Sequence, residues 1–299
     1  MTNLSYDGQV VVVTGAAQGV GRAYALAFAS RGAKVVVNDL AKAAEGGHIA
    51  DQVAVEIRAA GGEAISNHDS VATADGGKNI IASALDTWGR IDALVHNAGT
   101  LCDVTFAKLT IEQFQGVLDV SLMGSYFVGQ PAFNAMKSAG NGGRILFTAS
   151  ASGLFGNFGQ SNYAAAKMGV VGLARTLALE GEKYGIFTNV ISPFAATRLT
   201  AGADADDDAV LAPAHVAPTA VVLCHPSTVS NGEIFQVGGG WTSRVVIGMT
   251  EGHMLQHPGS AEELVQHWPT IRHSAITEPP NAPALAELFK QKLGVAQLK

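Results

Sequence analysis

Charge is scarce in this chain: 15% of its 299 residues are charged, and 25 Asp and Glu against 19 Lys and Arg leave a formal net charge of -6. A sequence so poor in cations has no basic stripe to follow a phosphate backbone, so nucleic acid is not expected as a partner. Cysteine is nearly absent. Cys102 and Cys224 stand far apart with no CxxC or zinc-ligand spacing. Neither a disulfide framework nor a structural metal is therefore expected, and a reducing compartment fits. No apolar run approaches the roughly 18 residues that a membrane span needs. The segment from Met1 to Gly15 carries no charged leader region or cleavage site. These absences point to a cytoplasmic protein with no membrane partner.

What is present is apolar residue in quantity, 47% of the chain, enough for a large core. From Gln9 to Gly240, short runs rich in Val and Ile alternate with longer helix-like segments, as in a parallel sheet covered on both faces. Seven strands are expected: Val10 to Val13, Lys34 to Asn38, Glu63 to His68, Ala93 to His96, Gly143 to Ala149, Phe187 to Ile191 and Gly232 to Val237. Helices are expected near Gly21 to Arg31, Asp51 to Ala60, Asp75 to Trp88, Ile111 to Ser138, Tyr163 to Tyr184 and His215 to Cys224. The fold class is thus α/β, a Rossmann-type doubly wound parallel seven-stranded sheet in a single domain over residues 1–242. Residues 243–299 read as a C-terminal extension, polar and proline-bearing, with a helix-like Ala284 to Leu293 at its end.

The first strand runs into Thr14-Gly15-Ala16-Ala17-Gln18-Gly19-Val20-Gly21-Arg22, where a helix begins. Glycines at such a turn let the backbone approach a pyrophosphate, and a helix N-terminus offers unpaired N–H groups with a favourable dipole. An ordinary tight loop is the plain alternative; the strand-loop-helix context favours the nucleotide. Asp39 ends the second strand eighteen positions past Gly21, where a carboxylate can accept from the adenosine ribose and would repel a 2′-phosphate. That favours NAD over NADP, although a turn or capping acid would look the same. Arg22 and Lys42 are the only nearby cations, and Arg22 reads as helix surface.

Tyr163 and Lys167 are four apart in a run of helix formers, so both project from one face. A free tyrosine titrates near 10, and a cation beside it stabilises the phenolate, which lets it exchange a proton with an alcohol or ketone oxygen. Ser150, at the end of the fifth strand, can donate to the same oxygen. A YxxxK by itself is a common helix surface pair; its weight here comes from the nucleotide loop on the same sheet.

With TGxxxGxG at residues 14–21, Asn97-Ala98-Gly99 after the fourth strand, Ser150 at a strand end and YxxxK, the sequence from about residue 5 to 242 resembles the short-chain dehydrogenase/reductase family. The resemblance implies an NAD-dependent enzyme that interconverts a secondary alcohol and a ketone. Tyr163 would be the acid/base, Lys167 would bind the nicotinamide ribose and lower the tyrosine pKa, and Ser150 would polarise the carbonyl. Gly15, Gln18, Gly19, Val20, Gly21 and Asp39 would hold the cofactor with Asn97, Ala98 and Gly99. Asp69, with Ser70 beside it, would meet the adenine, and Pro193 with Thr197 would hold the nicotinamide end. Two departures stand out. Ser121 occupies the position of the Asn that usually steadies a proton-relay water, and is counted with the catalytic residues; Pro193 is followed by Phe194 rather than Gly.

A finer resemblance is carried by Val37 to Leu40, Ala149 to Gln160, Val216 to Pro218 and Gly232 to Trp241. It is to the branch of that family formed by the (3R)-hydroxyacyl-CoA dehydrogenase units of multifunctional enzymes, in which the usual Asn is also replaced. The implied substrate is an acyl-CoA thioester, with a steroid-like apolar alcohol as the alternative. An NAD sensor without turnover is a further reading that the intact Ser150, Tyr163 and Lys167 set disfavours. The acidic run Asp204 to Asp208, where the family keeps its substrate lid, is an odd neighbour for the phosphates of coenzyme A. Family members assemble as homodimers or homotetramers, so a homo-oligomer is expected through the helices of Tyr163 and of Ile111 to Ser138. Phe155, Phe158 and Phe194 read equally as a substrate wall or as core filling. His253 and His257 lack the Glu of a zincin motif, so no metal is expected.

Overall fold

The computed structural model describes residues 4–196, 210–255 and 259–293. Thr197, the run Asp204 to Asp208, and His257 lie outside them. Two compact units are present, residues 1–244 and residues 245–299.

The first unit is built on eight strands in the order β3-β2-β1-β4-β5-β6-β7-β8. They are β1 (Val10–Thr14), β2 (Lys34–Asn38), β3 (Glu63–Asn67), β4 (Ala93–His96), β5 (Gly143–Thr148), β6 (Ile186–Pro193), β7 (Ile234–Gly238) and β8 (Trp241–Val245). All neighbouring pairs from β3 through β7 are parallel. Every residue of β1 is buried, as is every residue of β4 and β5, because helices cover both faces; that is why these strands read as mainly apolar runs, with Thr14, His96, Arg144 and Thr148 the buried polar exceptions. The order reverses between β1 and β4, and the crevice beyond their carboxyl ends is the usual ligand site of such sheets.

The expectation of seven strands is corrected to eight. β8 leaves β7 through Gly239 and Gly240, whose φ values of +56° and +78° suit a two-residue hairpin turn, so it runs antiparallel at the sheet's edge. Its side chains are half or fully exposed, so no apolar run marks it.

The helices are α1 (Gly19–Ala29), α2 (Ile49–Ala59), α3 (Ala74–Trp88), α4 (Ile111–Leu118), α5 (Gly124–Ala139), α6 (Ala151–Phe155), α7 (Ser161–Gly181) and a further one at Ala217–Cys224. The single helix expected from Ile111 to Ser138 is instead two, joined by a π-helical turn at Asp119–Met123. Such turns are single-turn insertions found often at functional sites, and Ser121 sits in this one. α4 starts from a capping box: Thr110 Oγ1 accepts from Gln113 N at 3.2 Å while Gln113 Oε1 accepts from Thr110 N at 3.1 Å.

The second unit holds a short antiparallel pair, Met249–Thr250 with Ile276–Thr277, and two helices, Ala261–His273 and Ala282–Leu293. The first of these helices was read as a polar stretch; Ser260 caps it by accepting from Glu263 N at 3.1 Å. His253 stacks on His267 with ring centres 3.6 Å apart.

Candidate active site

The loop from β1 to α1 closes because three positions lack a side chain. Gly15 and Gly19 have φ values of +63° and +55°, in the left-handed region where only glycine is unstrained. A Cβ on Gly21 would fall 2.0 Å from the Gly15 carbonyl oxygen. The first turn of α1 carries no acid, and Gln18 forms no side-chain cap, so backbone N–H groups and the positive end of the helix dipole face the loop. Val20 turns its side chain into the core, which leaves only its backbone to meet a ligand.

Asp39 is held at this loop from two sides: Oδ2 accepts from Ala17 N at 3.0 Å and Oδ1 from Ala41 N at 2.8 Å. The nearest helix cation is committed elsewhere, since Arg22 pairs with both carboxylate oxygens of Glu56 at 2.5 and 2.7 Å. Asp69 is gripped by Asn67 at 2.8 Å and Asn79 at 3.1 Å, whereas Ser70 turns its hydroxyl to Ala72 N in its own loop. Across the switch point, Asn97 Nδ2 donates to the Gly15 carbonyl at 3.1 Å, and Asn97 N and Ala98 N both donate to Thr14 Oγ1. The two loops are thus pinned together, and a glycine cradle, a helix N-terminus and a fixed carboxylate make a fit for a dinucleotide.

The chemical residues meet beside that cleft. Ser150 caps α6, its Oγ accepting from Ser152 N at 3.2 Å. Gly153 brings α6 against α7, because a Cβ there would stand 2.8 Å from Lys167 Cβ. Lys167 is buried and donates through Nζ to the Thr148 carbonyl at 2.7 Å, with Nζ 5.5 Å from the centre of the Tyr163 ring. Burial pushes its ammonium down to about 8. Burial likewise raises the Tyr163 phenol, more than a hydrogen bond with Ser150 offsets, and the Asp103 carboxylate adds to the rise; the lowering by Lys167 expected from the sequence is thus outweighed before any ligand is bound. In this arrangement Tyr163 and Ser150 can hold one oxygen while Lys167 supplies the neighbouring cation.

Three supporting residues, Asp103, Gln160 and Asn162, escaped the sequence reading. Gln160, buried, donates to both Asp103 oxygens at 3.0 Å and accepts from Ser152 at 2.7 Å. Asn162, fully buried, bonds the Cys102 carbonyl at 3.1 Å and accepts from Tyr163 N at 2.8 Å. They clamp the loop before α7 to the segment after β4, and only their polar character hinted at it.

Ser121 is fully buried; its carbonyl accepts from Ser125 Oγ at 2.8 Å, and its own Oγ has no partner among the described residues. A Cβ on Gly99 would lie 3.3 Å from Lys167 Nζ and 3.4 Å from Ser121 Oγ, so the two polar ends share one space. Pro193 closes β6 opposite Val237. Phe155, Phe158 and Phe194 are 72%, 89% and 59% exposed, which removes the core-filling reading.

Comparison with known proteins agrees with this geometry. The short chain dehydrogenase family model matches residues 9–208. The mouse peroxisomal multifunctional enzyme type 2 is 45% identical over 276 residues, 90% of this chain and 37% of that enzyme. A 3-oxoacyl-[acyl-carrier-protein] reductase of Synechocystis is 42% identical over 199 residues, 66% of this chain and 78% of the reductase. The structure of the full-length Drosophila melanogaster peroxisomal multifunctional enzyme type 2 superposes with a TM-score of 0.82 at 38% identity, covering 97% of this chain and 50% of that one. The chain spans little more than a third of the mouse enzyme and half of the fly enzyme. It belongs to the short-chain dehydrogenase family and is an oxidoreductase acting on CH–OH donors.

Proposed function

We propose that this protein is an NAD-dependent dehydrogenase converting (3R)-3-hydroxyacyl-CoA to 3-ketoacyl-CoA. The observation that carries the cofactor choice is Asp39, its carboxylate held by Ala17 and Ala41 while Arg22 is tied to Glu56. A fixed carboxylate suits two ribose hydroxyls and repels a 2′-phosphate, and of the two nearby cations Arg22 is committed to Glu56 while Lys42 lies three residues past Asp39. The substrate choice is supported by similarity to the multifunctional enzymes across 90% of the chain.

NAD bound at the β1–α1 loop supplies the hydride acceptor. Tyr163 would serve as the acid/base, taking the hydroxyl proton of the substrate once its own phenol has ionised, and Ser150 Oγ would hold the same oxygen. Lys167 stabilises the phenolate by its charge. Ser121 lines the space behind Lys167. The exposed Phe155, Phe158 and Phe194 offer apolar surface for the acyl chain. The similarity to the carrier-protein reductase favours a second reading, in which the thioester is carried on a protein and the reaction runs as reduction.

We further infer a homo-oligomer, dimeric or tetrameric. Ile111 is 82% exposed, and Met123, Tyr126, Met168 and Leu179 are also exposed on α4, the π turn, α5 and α7. Such apolar outer faces favour self-association. No helix among the described residues is long and apolar enough to cross a membrane. Free cysteines at 102 and 224 suit the cytosol, and a peroxisome, as in the relatives' names, is the competing compartment.

The test is NADH absorbance with NAD and (3R)-hydroxyacyl-CoA thioesters, beside carrier-protein thioesters and hydroxysteroids, with NADP as the cofactor control. Turnover of the coenzyme A thioesters with NAD is the expected result. Turnover of steroids alone, or faster reaction with NADP, overturns the corresponding half of the proposal.

A further inference from the structure

Hydrogen bonds from three successive residues tie the segment after β4 to the loop that enters α7. The Cys102 carbonyl accepts from Asn162 Nδ2 at 3.1 Å, both carboxylate oxygens of Asp103 accept from Gln160 Nε2 at 3.0 Å, and Val104 N donates to the Gly159 carbonyl at 2.8 Å. Asp103 is therefore fixed in the middle of a ladder whose other side runs straight into Tyr163, and Asn162 Oδ1 accepts from Tyr163 N at 2.8 Å. The Gln160 amide has only one way to face. Its Oε1 accepts from Ser152 Oγ at 2.7 Å and from Asn157 Nδ2 at 3.0 Å, which fills both lone pairs, so its nitrogen must point to Asp103. Ser152 N in turn donates to Ser150 Oγ at 3.2 Å, so one chain of bonds runs from Asp103 to the strand end that carries Ser150.

Two side chains of opposite charge bear on the Tyr163 ring. Lys167, one turn along α7, has Nζ 5.5 Å from the ring centre, and Asp103 is the carboxylate whose charge reaches the phenol. The other elements packed on α7 direct their charges elsewhere. α6 has no titratable side chain, and neither has β6. Glu112 of α4 bonds to Thr110 at its own helix start, and Asp119 of the π turn accepts from Gln115 Nε2 at 2.6 Å. Arg144 of β5 donates to the Gly185, Pro226 and Thr228 carbonyls at the end of that strand far from Ser150. Cys102 is a thiol beside Asp103, and Arg175, Glu180, Glu182 and Lys183 stand about three or more turns further along the chain from Tyr163.

We propose that Asp103 is a positioning residue whose carboxylate, aimed by Gln160, opposes Lys167 and sets the pH at which Tyr163 can act as a base. A cation beside a phenol favours its ionised form and an anion disfavours it, so the two charges together decide how readily the proton leaves. Asp103 acts through that balance rather than on the substrate. It is itself exposed, so water screens part of its charge and the effect is modest, whereas Gln160, which aims it, is buried. The inference deepens the reading that Tyr163 is the acid/base, and rests on it.

Two measurements on the full chain test it. The chain has five tyrosines. Carbon NMR of protein labelled at tyrosine Cζ, with Tyr163 identified from Tyr163→Phe, follows ionisation of that ring without any turnover. Asp103→Asn keeps the shape and an acceptor for Gln160 but loses the charge; Asp103→Glu keeps the charge. The Tyr163 midpoint is expected about half a pH unit or more lower in Asp103→Asn, and close to the wild-type value in Asp103→Glu. In the second measurement, the acid limb of kcat/KM for alcohol oxidation is expected to move the same way, with the alkaline plateau kept within about threefold. Gln160→Met, which leaves the charge but no longer aims it, is expected to fall between wild type and Asp103→Asn. A plateau that drops while both midpoints stand still marks a merely structural Asp103 and overturns the proposal, as does equal movement in Asp103→Asn and Asp103→Glu. If the wild-type chain oxidises none of the thioesters, the substrate reading has failed, and the ring-carbon titration alone decides the role of Asp103.

Discussion

Lys167, on α7, donates through Nζ to the Thr148 carbonyl at 2.7 Å, two residues before Ser150 on the neighbouring strand. The bond fixes the helix that carries Tyr163 against the strand whose end carries Ser150. Three side chains from two elements therefore share one register, and a shift of either element would part them. It also gives a buried ammonium a fixed acceptor, although burial still pushes that ammonium down to about 8. Preorganisation of this kind is what lets charge develop on a reacting oxygen without reorganisation of the site.

Tyr163→Phe keeps the ring and removes the hydroxyl. Turnover should fall by roughly 10²–10⁴-fold, the usual share of a positioned acid/base, while the affinity for NADH, read by fluorescence titration, stays within about twofold. Preserved turnover would mean that another group moves the proton.

Asp39→Ala removes the acceptor for Ala17 N and Ala41 N together with the anion that disfavours a 2′-phosphate. KM for NAD should rise about tenfold, one lost charge-assisted pair, and NADP should become a better substrate relative to NAD. Steady-state kinetics with both cofactors read this directly, and an unchanged ratio would remove Asp39 from cofactor selection.

Gly21→Ala forces a methyl against the Gly15 carbonyl oxygen, a backbone atom that cannot swing aside. Overpacking of this kind costs about 1–3 kcal/mol, so the urea midpoint should fall, and dinucleotide affinity should fall with it because the loop opens. A variant as stable as the wild type would show that the loop relaxes freely.

His96 should be visible in the stability profile. Its folded pKa is lowered from 6.5 to about 3, so between those values the unfolded chain binds a proton that the folded chain does not. Folding stability then declines as pH falls from about 6.5 toward 3, by about 1.4 kcal/mol per pH unit for this one group. Urea melts across that window should show His96→Gln with a shallower acid decline than the wild type. Equal slopes would place the imidazole in contact with solvent.

Much of the fold was legible because buried parallel strands must be apolar on both faces. The runs at Val10, Lys34 and Ala93 lie where strands β1, β2 and β4 begin. β8 was not legible, since an exposed edge strand has no face to bury and its residues follow no period. The π turn at Asp119–Met123 was hidden for a different reason: one extra residue per turn hardly disturbs an apolar helical pattern, yet it is what turns Ser121 inward.

The sequence by itself determined the local geometry of the site. Spacing four along a helix puts Tyr163 and Lys167 on one side, and glycines at 15, 19 and 21 permit a turn no other residue tolerates, because these constraints act within a few bonds. The tertiary structure alone decided the contacts between elements far apart in the chain: Thr14 with His96, Asp103 with Gln160, Thr148 with Lys167. A hydrogen bond needs its partners within about 3 Å, and only the packing of strands and helices brings groups 19 to 82 residues apart to that distance.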